Sequence, residues 1–306
     1  MPSGKLWQFR RTAAGEGVDM GRNVVVWGNC QAEPLARLLR GPLSLEGLDV
    51  VVVPPVFLID EVGLDHVRAI VATSALLVSQ PVRDEYRIPG CGTAQLAGLL
   101  PADGRLVTYP SLFHVGTYPY LVNAHGGEGE RVSAPLTDYH DLRTLIAAER
   151  GLGMPEALAW WPAPSADAVR AVAADSTRRL REREANLDVA VSVLLDAPDA
   201  LWTLDHPSNA VLGPLAQAVL GVVGVDRSIE VPAREFLGAR RAPLEPAVVA
   251  AHGWPADATR PKWRINGRDV PSAEVLAAHL SLYAERPDVV RDARTRYADR
   301  LAMLAL

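Results

Sequence analysis

Cysteine is almost absent from this chain: two of its 306 residues, Cys30 and Cys91. So few thiols exclude a disulfide framework, and neither belongs to a Cys-x-x-Cys pair that would bind zinc or run dithiol exchange, so no metal is expected. Long apolar runs are also missing. No window reaches the ~20 uninterrupted apolar residues of a membrane span. The opening stretch MPSGKLWQFRRTAAGEGVDMG lacks the apolar centre of a signal peptide, and a cytoplasmic location is expected. Excess positive charge is lacking as well. With a formal net charge of -5 and only short basic pairs such as Arg178-Arg179 and Arg240-Arg241, the chain offers no general field for nucleic acid or an anionic membrane. Internal repeats and low-complexity tracts are absent. What is plentiful is apolar side chain, 49% of the sequence, enough for the core of one large domain or of one domain with an appendage.

Residues 1–22 mix Gly, Ala and charge without a period and read as a loose arm. From Asn23, short apolar runs alternate with helical patterns. The strand candidates are 23–27, 48–54, 75–79 and 105–109; between them 31–40, 63–74 and 93–100 carry apolar residues at three- and four-residue spacing. Strands apolar on both faces and separated by helices predict a doubly wound α/β core with a mostly parallel sheet. Helices are predicted next over 138–151, 155–161 and from Ser165 to about Ala197, with Ser165 as N-cap and basic residues toward the far end. A strand at 200–204 and a helix at 208–224 complete an α/β domain over 23–232 that carries helical insertions. Residues 233–306 read as a mostly helical C-terminal appendage, with a hairpin at 263–271 turned by Asn266-Gly267 and helices over 272–285 and 287–304.

One of the scarce cysteines sits at a telling place. VVVWGNCQ (24–31) runs from a buried strand into a tight turn, with Gly28 where the turn needs a residue without Cβ and Pro34 in the first turn of the following helix. Cys30 thus stands at a helix N-terminus, where unpaired N–H groups and the helix dipole favour the thiolate and the same N–H groups can hold an oxyanion. In open α/β sheets the ligand crevice lies at such strand ends. Physically, a packed small residue and a nucleophile are both open readings of Cys30; Cys91, in IPGCGTAQ, reads as packed. Of seven histidines (66, 114, 125, 140, 206, 252 and 279) most are expected to be structural, His66 and His279 lying within helical patterns. His206 differs. In LWTLDHPSN it follows a strand candidate, and Pro207 keeps it out of helix, so it is the candidate base. Asp205 is a doubtful partner, because neighbours on an extended segment point to opposite sides. A third strand end, VSQPVRDEYR (79–87), offers the Gln80 amide together with Arg83, Tyr86 and Arg87.

In order, GNCQAEPLARLL, VSQPVRDEYR, TYPSLFHVGTYPYL, DYHDL and LWTLDHPSNAVLGPLAQAVL resemble the WcbI family of polysaccharide-biosynthesis acetyltransferases over roughly 23–225. That family looks like a divergent relative of the SGNH esterases, with a flavodoxin-like sheet and cysteine where those enzymes carry serine. The resemblance implies a coenzyme A-dependent acyltransferase that moves an acyl group, acetyl first among them, from acyl-coenzyme A to a hydroxyl or amine of a saccharide or other small acceptor. It implies Cys30 as nucleophile and His206 as base. Gly28, Asn29, Gln31 and Gln80 would form the oxyanion site or wall. On charge and position alone, Arg83 and Arg87, with Tyr86 between them, are the candidates to contact coenzyme A. The Asp-x-x-His element of the SGNH esterases is missing before His206, so the acid that orients this histidine is unassigned. A thioesterase or esterase with the same nucleophile, and a non-catalytic coenzyme A-binding protein, are the alternatives.

Overall fold

A computed structural model describes residues 22–306. The arm expected over 1–22 lies outside the described residues, apart from Arg22. Two compact units are woven from one chain. The first takes the residues up to Ser111 together with Asn186–Ala190 and Leu212–Val231; the second takes Leu112–Ala185, Val191–Val211 and Pro232–Leu306.

The first unit is built on four strands, β1 (Asn23–Trp27), β2 (Asp49–Val51), β3 (Ser74–Ser79) and β4 (Arg105–Thr108), in the order β2-β1-β3-β4. All neighbours are parallel. Between them run α1 (Ala32–Leu45), α2 (Glu61–Val71) and α3 (Thr93–Ala97). Asp60 starts α2 by accepting from the Gly63 N–H at 2.8 Å, the N-cap bond that satisfies an orphan donor. Apolar side chains leave both faces of the sheet dry. Val25, Trp27 and Leu77 pack with Leu64, Val67 and Val71 of α2 and Leu96 of α3 in one cluster, while Val24, Val26 and Val78, equally buried, point to the opposite face. Each such fully buried side chain is worth roughly 1.5–3 kcal/mol. This is the doubly wound parallel architecture that the alternation of runs predicts.

In the second unit, short antiparallel pairs and helices follow one another. The strands are β5 (Leu121–Val122), β6 (Ala124–His125), β7 (Arg131–Val132) and β8 (His140–Asp141), β5 pairing with β8 and β6 with β7. Then come α4 (Leu142–Glu149), α5 (Met154–Trp160) and α6 (Ala166–Glu184). Ser165 caps α6 as expected, accepting from the Ala168 N–H at 3.1 Å. However, α6 stops at Glu184 instead of reaching Ala197, because the buried Glu184 carboxylate turns back to accept the Val191 and Ser192 N–H groups. α7 (Asn209–Val223) passes into the first unit at Leu212. Beyond it lie β9 (Arg240–Arg241), α8 (Pro246–His252), β10 (Trp263–Ile265), β11 (Arg268–Val270), α9 (Ser272–Glu285), α10 (Pro287–Arg296) and α11 (Ala298–Met303).

The hairpin at 263–271 forms as predicted, with Asn266 and Gly267 both at positive φ. Two further expectations need correction. Residues 200–204 do not form a strand: the Trp202 N–H bonds to the His206 carbonyl at 2.9 Å, so the segment closes into a tight loop stitched by a single bridge between Leu201 and Pro207. The terminal helix predicted over 287–304 breaks at Tyr297, which sits at φ -108, ψ 19. Its hydroxyl donates to the Asn123 carbonyl. Among the described residues no helix is long and apolar enough to cross a membrane.

Candidate active site

The sheet order reverses between β1 and β3, whose carboxyl ends form the crevice of a doubly wound sheet. Two loops leave there side by side, one carrying Gly28 to Gln31 and the other Gln80. Trp27 and Ser79 are register partners across the last rung, and the Gln80 N–H continues the ladder onto the Trp27 carbonyl at 2.9 Å. The Gln80 side chain, 2% exposed, therefore lies against Gly28. A Cβ on Gly28 would stand 2.5 Å from Gln80 Oε1, well inside contact distance, so the absence of a side chain at position 28 is what lets this amide in.

Three carboxamides then fix the turn around Cys30. Gln80 Oε1 accepts the Asn29 N–H at 2.8 Å, and Gln80 Nε2 donates to Gln31 Oε1 at 3.0 Å. Asn29 Oδ1 accepts the Gln31 N–H at 2.9 Å while its Nδ2 donates to Ser111 Oγ at 2.9 Å. Gln80 is itself anchored, since its carbonyl accepts from the Thr93 hydroxyl at 2.6 Å. Within this frame Cys30 is half-buried, whereas Cys91 is wholly buried, its thiol donating to the Tyr86 carbonyl. Beneath the turn lies Tyr109, fully buried at the end of β4, its hydroxyl 3.5 Å from the Trp27 carbonyl. Burial, with the charge of Cys30 as a second cause, raises this phenol far above its ordinary range and keeps it neutral.

The structure thus gathers Gly28, Asn29, Cys30, Gln31 and Gln80 at one strand-end turn. Arg83, Tyr86 and Arg87 occupy the exposed loop that follows Gln80. There Glu85 and Arg87 take positive φ, and the Arg87 guanidinium donates to the Phe57 carbonyl.

His206 belongs to the second unit. Its Nε2 lies 3.4 Å from the Tyr139 hydroxyl. That hydroxyl gives its proton to Asp205 Oδ1 at 2.5 Å and accepts from Thr203 Oγ1 at 3.0 Å. With that hydroxyl's proton on Asp205, the tautomer that fits is the one protonated on Nε2; His206 Nδ1 is buried, with no hydrogen-bond partner among the described residues. Asp205 and His206 thus share the Tyr139 hydroxyl as a hydrogen-bond partner. Burial lowers the His206 pKa, Asp205 working against that shift.

Sequence reasoning passed over Tyr109, Ser111 and Tyr139. All three lie inside the quoted motifs TYPSLFHVGTYPYL and DYHDL, where polar aromatic residues between apolar ones were the available signal.

The second unit also encloses a cavity of about 310 Å³. Arg143 lines it, stacked between the rings of Tyr120 and Trp161 at 3.8 and 4.2 Å and paired with Asp141 at 2.8 Å and Glu245 at 2.6 Å. With Arg260 as the other cation on its wall, two positive and two negative groups balance. Such a cavity suits a neutral polar ligand better than an anion. Among the described residues no group of three or more His, Cys, Asp and Glu side chains is placed to hold a metal.

The protein-family model of the polysaccharide biosynthesis enzyme WcbI matches residues 23–228. The chain belongs to the WcbI family. That match covers the strand-end turn, the Gln80 loop, Tyr139 and the His206 loop together. A solved structure of WcbI, described as a novel polysaccharide biosynthesis enzyme in its native form without a disulfide bond between coenzyme A and one of its cysteines, aligns with a TM-score of 0.79. The alignment covers 93% of this chain and 98% of that one at 17% identity, so the WcbI fold extends beyond the segment matched by the family. No curated protein matches the chain.

Proposed function

We propose that this WcbI-family enzyme is a coenzyme A-dependent acyltransferase acting on a saccharide or related acceptor, with Cys30 as the acyl-carrying nucleophile. One observation carries the assignment: of the two cysteines, Cys91 is sealed in the core, and Cys30 stands half-buried at a strand end in a turn clamped by three amides. The description of the related WcbI structure, a native form without a disulfide bond between coenzyme A and one of its cysteines, puts coenzyme A and a cysteine of that protein in the same question and supports looking to a thiol here. In a thioester exchange the Cys30 thiolate attacks the acyl carbon, the bond from that carbon to the coenzyme A sulfur breaks, and the coenzyme A thiolate leaves. Exchange between two thioesters is close to neutral in energy, so the turn has to supply position and charge stabilisation rather than driving force. Position comes from the clamp, which removes the turn's freedom before substrate arrives. The first turn of α1 favours the thiolate, and the second N–H of Asn29 Nδ2 is the donor we assign to the oxyanion. The acyl group then passes to an acceptor hydroxyl or amine, whose proton we assign to His206.

Incubation with acetyl-coenzyme A followed by intact-protein mass measurement tests this. The wild type is expected to gain one acetyl group, located on Cys30, and to release coenzyme A. Cys30→Ala should gain nothing and transfer nothing, while its affinity for coenzyme A stays within about tenfold, or ~1.4 kcal/mol, because the phosphates and pantetheine dominate binding. Cys91→Ala should still acquire the acetyl group. An unmodified wild-type protein, or equal loss in both variants, would remove Cys30 from the mechanism.

A further inference from the structure

Helix α6 and the α10–α11 segment carry the same polar pattern, an aspartate followed by arginines four and eight residues later: Asp175, Arg179, Arg183 and Asp292, Arg296, Arg300. That spacing puts the first set on one face of α6, while the second set runs from α10 across the break at Tyr297 into α11. In both sets the aspartate is spent on the nearer arginine, at 2.8 Å for Arg179 and 2.9 Å for Arg296. The farther arginine of each set is left with backbone carbonyls. Arg183 donates to the Phe113 carbonyl at 3.0 Å and Arg300 to the Leu121 carbonyl at 3.0 Å; among the described residues neither has an ion-pair partner. All four arginines line one cavity of about 250 Å³ in the second unit.

The carboxylates near this cavity do not balance it. Besides the four arginines its wall holds Asp175 and Asp299, and Asp175 is already shared between Arg178 and Arg179. Glu184, next to Arg183 in sequence, has turned its carboxylate to the Val191 and Ser192 N–H groups. Burial lowers the pKa of both Arg183 and Arg300; Glu184 works against that shift at Arg183, Tyr297 and Asp175 work against it at Arg300, and the charge of Arg179 adds to it in each. Arg179, Arg183 and Arg296 are exposed and Arg300 is half-buried, so the cluster is open to an anion from solvent, and a cluster of like charges is stabilised when one binds.

We propose that this cavity is a phosphoryl-binding site, with Arg183 and Arg300 as its principal ligands and Arg179 and Arg296 as supporting charge. Arginine forks fit phosphate oxygens in paired, parallel hydrogen bonds, and the site offers two forks from two different helices. A diphosphate suits the volume and the charge better than a carboxylate, which one fork would satisfy. Two sources of that chemistry are consistent with the function proposed above: the phosphates of coenzyme A and the diphosphate of a nucleotide-activated sugar. The site itself rests on the arginines and not on that function.

Titration calorimetry with inorganic pyrophosphate tests the site directly. Saturable binding by the wild-type protein, weakened by added salt, is expected, and Arg183→Gln/Arg300→Gln should weaken it at least about tenfold. Arg183→Lys/Arg300→Lys, which keeps charge but loses the forks, should fall between. Arg170→Gln, on the same helix but away from the cavity, should bind like the wild type. Competition identifies the source: displacement of pyrophosphate by coenzyme A assigns the site to the acyl donor, displacement by a uridine diphosphate sugar to an activated sugar, and pyrophosphate binding that neither displaces still supports a phosphoryl site. The wild-type titration decides the matter even if the double variants fail to fold, because no saturable binding by the wild type overturns the proposal. So does undiminished binding by a folded glutamine double variant. Acetylation of Cys30 is measured separately, so loss of either reading leaves the other standing.

Discussion

At Gly28 a missing methyl group determines how the Cys30 turn is held. Adding a Cβ would require the Gln80 amide to retreat from 2.5 Å, and that amide cannot retreat without releasing both the Asn29 N–H and Gln31 Oε1. Gly28→Ala is therefore expected to cost about 2–4 kcal/mol, combining steric overlap with two broken buried hydrogen bonds. Gln80→Ala alone strands the Asn29 N–H and should cost about 1–3 kcal/mol. Because the second substitution removes the obstacle that makes the first one costly, the double variant should lose clearly less than the sum. Chemical denaturation of the four proteins checks this, and simple additivity would mean that Gly28 is needed for some other reason. The strand ending and the turn that carries Cys30 could both be read from VVVWGNCQ. The clamp could not, because Gln80 lies 49 residues from Gln31 and meets it only once the β1–β3 pairing exists.

The loop from Ala200 to Ser208 shows the limit of reading elements by composition. ALWTL has the apolar, β-favouring content of a strand, yet the chain folds back on itself, because the carbonyl of His206 captures the Trp202 N–H. Proline at 207 and the aspartate before His206 signal a turn, and in this case the local turn chemistry prevails over β propensity. The same closure brings Asp205, His206 and Tyr139 into one chain of polar contacts. His206, if it takes the acceptor proton, must be neutral to do so, and burial lowers its pKa. The rising limb of turnover against pH should accordingly lie below the ordinary imidazole value of about 6.5. Tyr139→Phe removes the buried hydroxyl shared with Asp205 and Thr203 and should shift that limb while lowering stability by about 1–3 kcal/mol. His206→Asn should abolish it and lower turnover on the order of 10²- to 10⁴-fold. An unchanged limb in a correctly folded His206→Asn protein would exclude this histidine as the base. By contrast, the helices at 93–97 and 272–285 and the Asn-Gly hairpin were legible, since each is fixed by short-range spacing or turn residues and needs no distant partner.

On the scale of the whole molecule, three buried histidines give the second unit an acid sensitivity. His114, His140 and His279 are each lowered to about 4, in every case mainly by burial. The hydrogen bonds around His140 suit the neutral ring, Nε2 donating to the Val132 carbonyl at 2.8 Å and Nδ1 accepting from the Tyr283 hydroxyl at 2.7 Å. Unfolded, these side chains take up protons near pH 6.5; folded, they resist until about pH 4. Their contribution is thus complete above about pH 6.5 and is lost as the pH falls toward 4, by at most roughly 3 kcal/mol for each histidine. Urea denaturation at intervals from pH 7 to 4.5 should show stability declining throughout, and a flat profile would mean that these rings are protonated in the native state. The alternation of strands and helices made the parallel sheet legible. It gave no sign that the chain divides its residues between two units, because apolar periodicity records that a face is buried but not which partner buries it.

That division has a consequence for how the protein is made. The polypeptide crosses from one unit to the other five times on its way from the sheet to the C-terminus. A ribosome that has released the four sheet strands has not yet released residues 186–190 or 212–231, which the first unit also requires. The second unit stays incomplete until its last segment, Pro232–Leu306, has emerged. Folding domain by domain during synthesis, the usual course for a chain with two compact parts, is closed to it. During translation the first unit has to wait for those segments, so the yield of this protein should depend on elongation rate and on chaperones that hold unfinished chains.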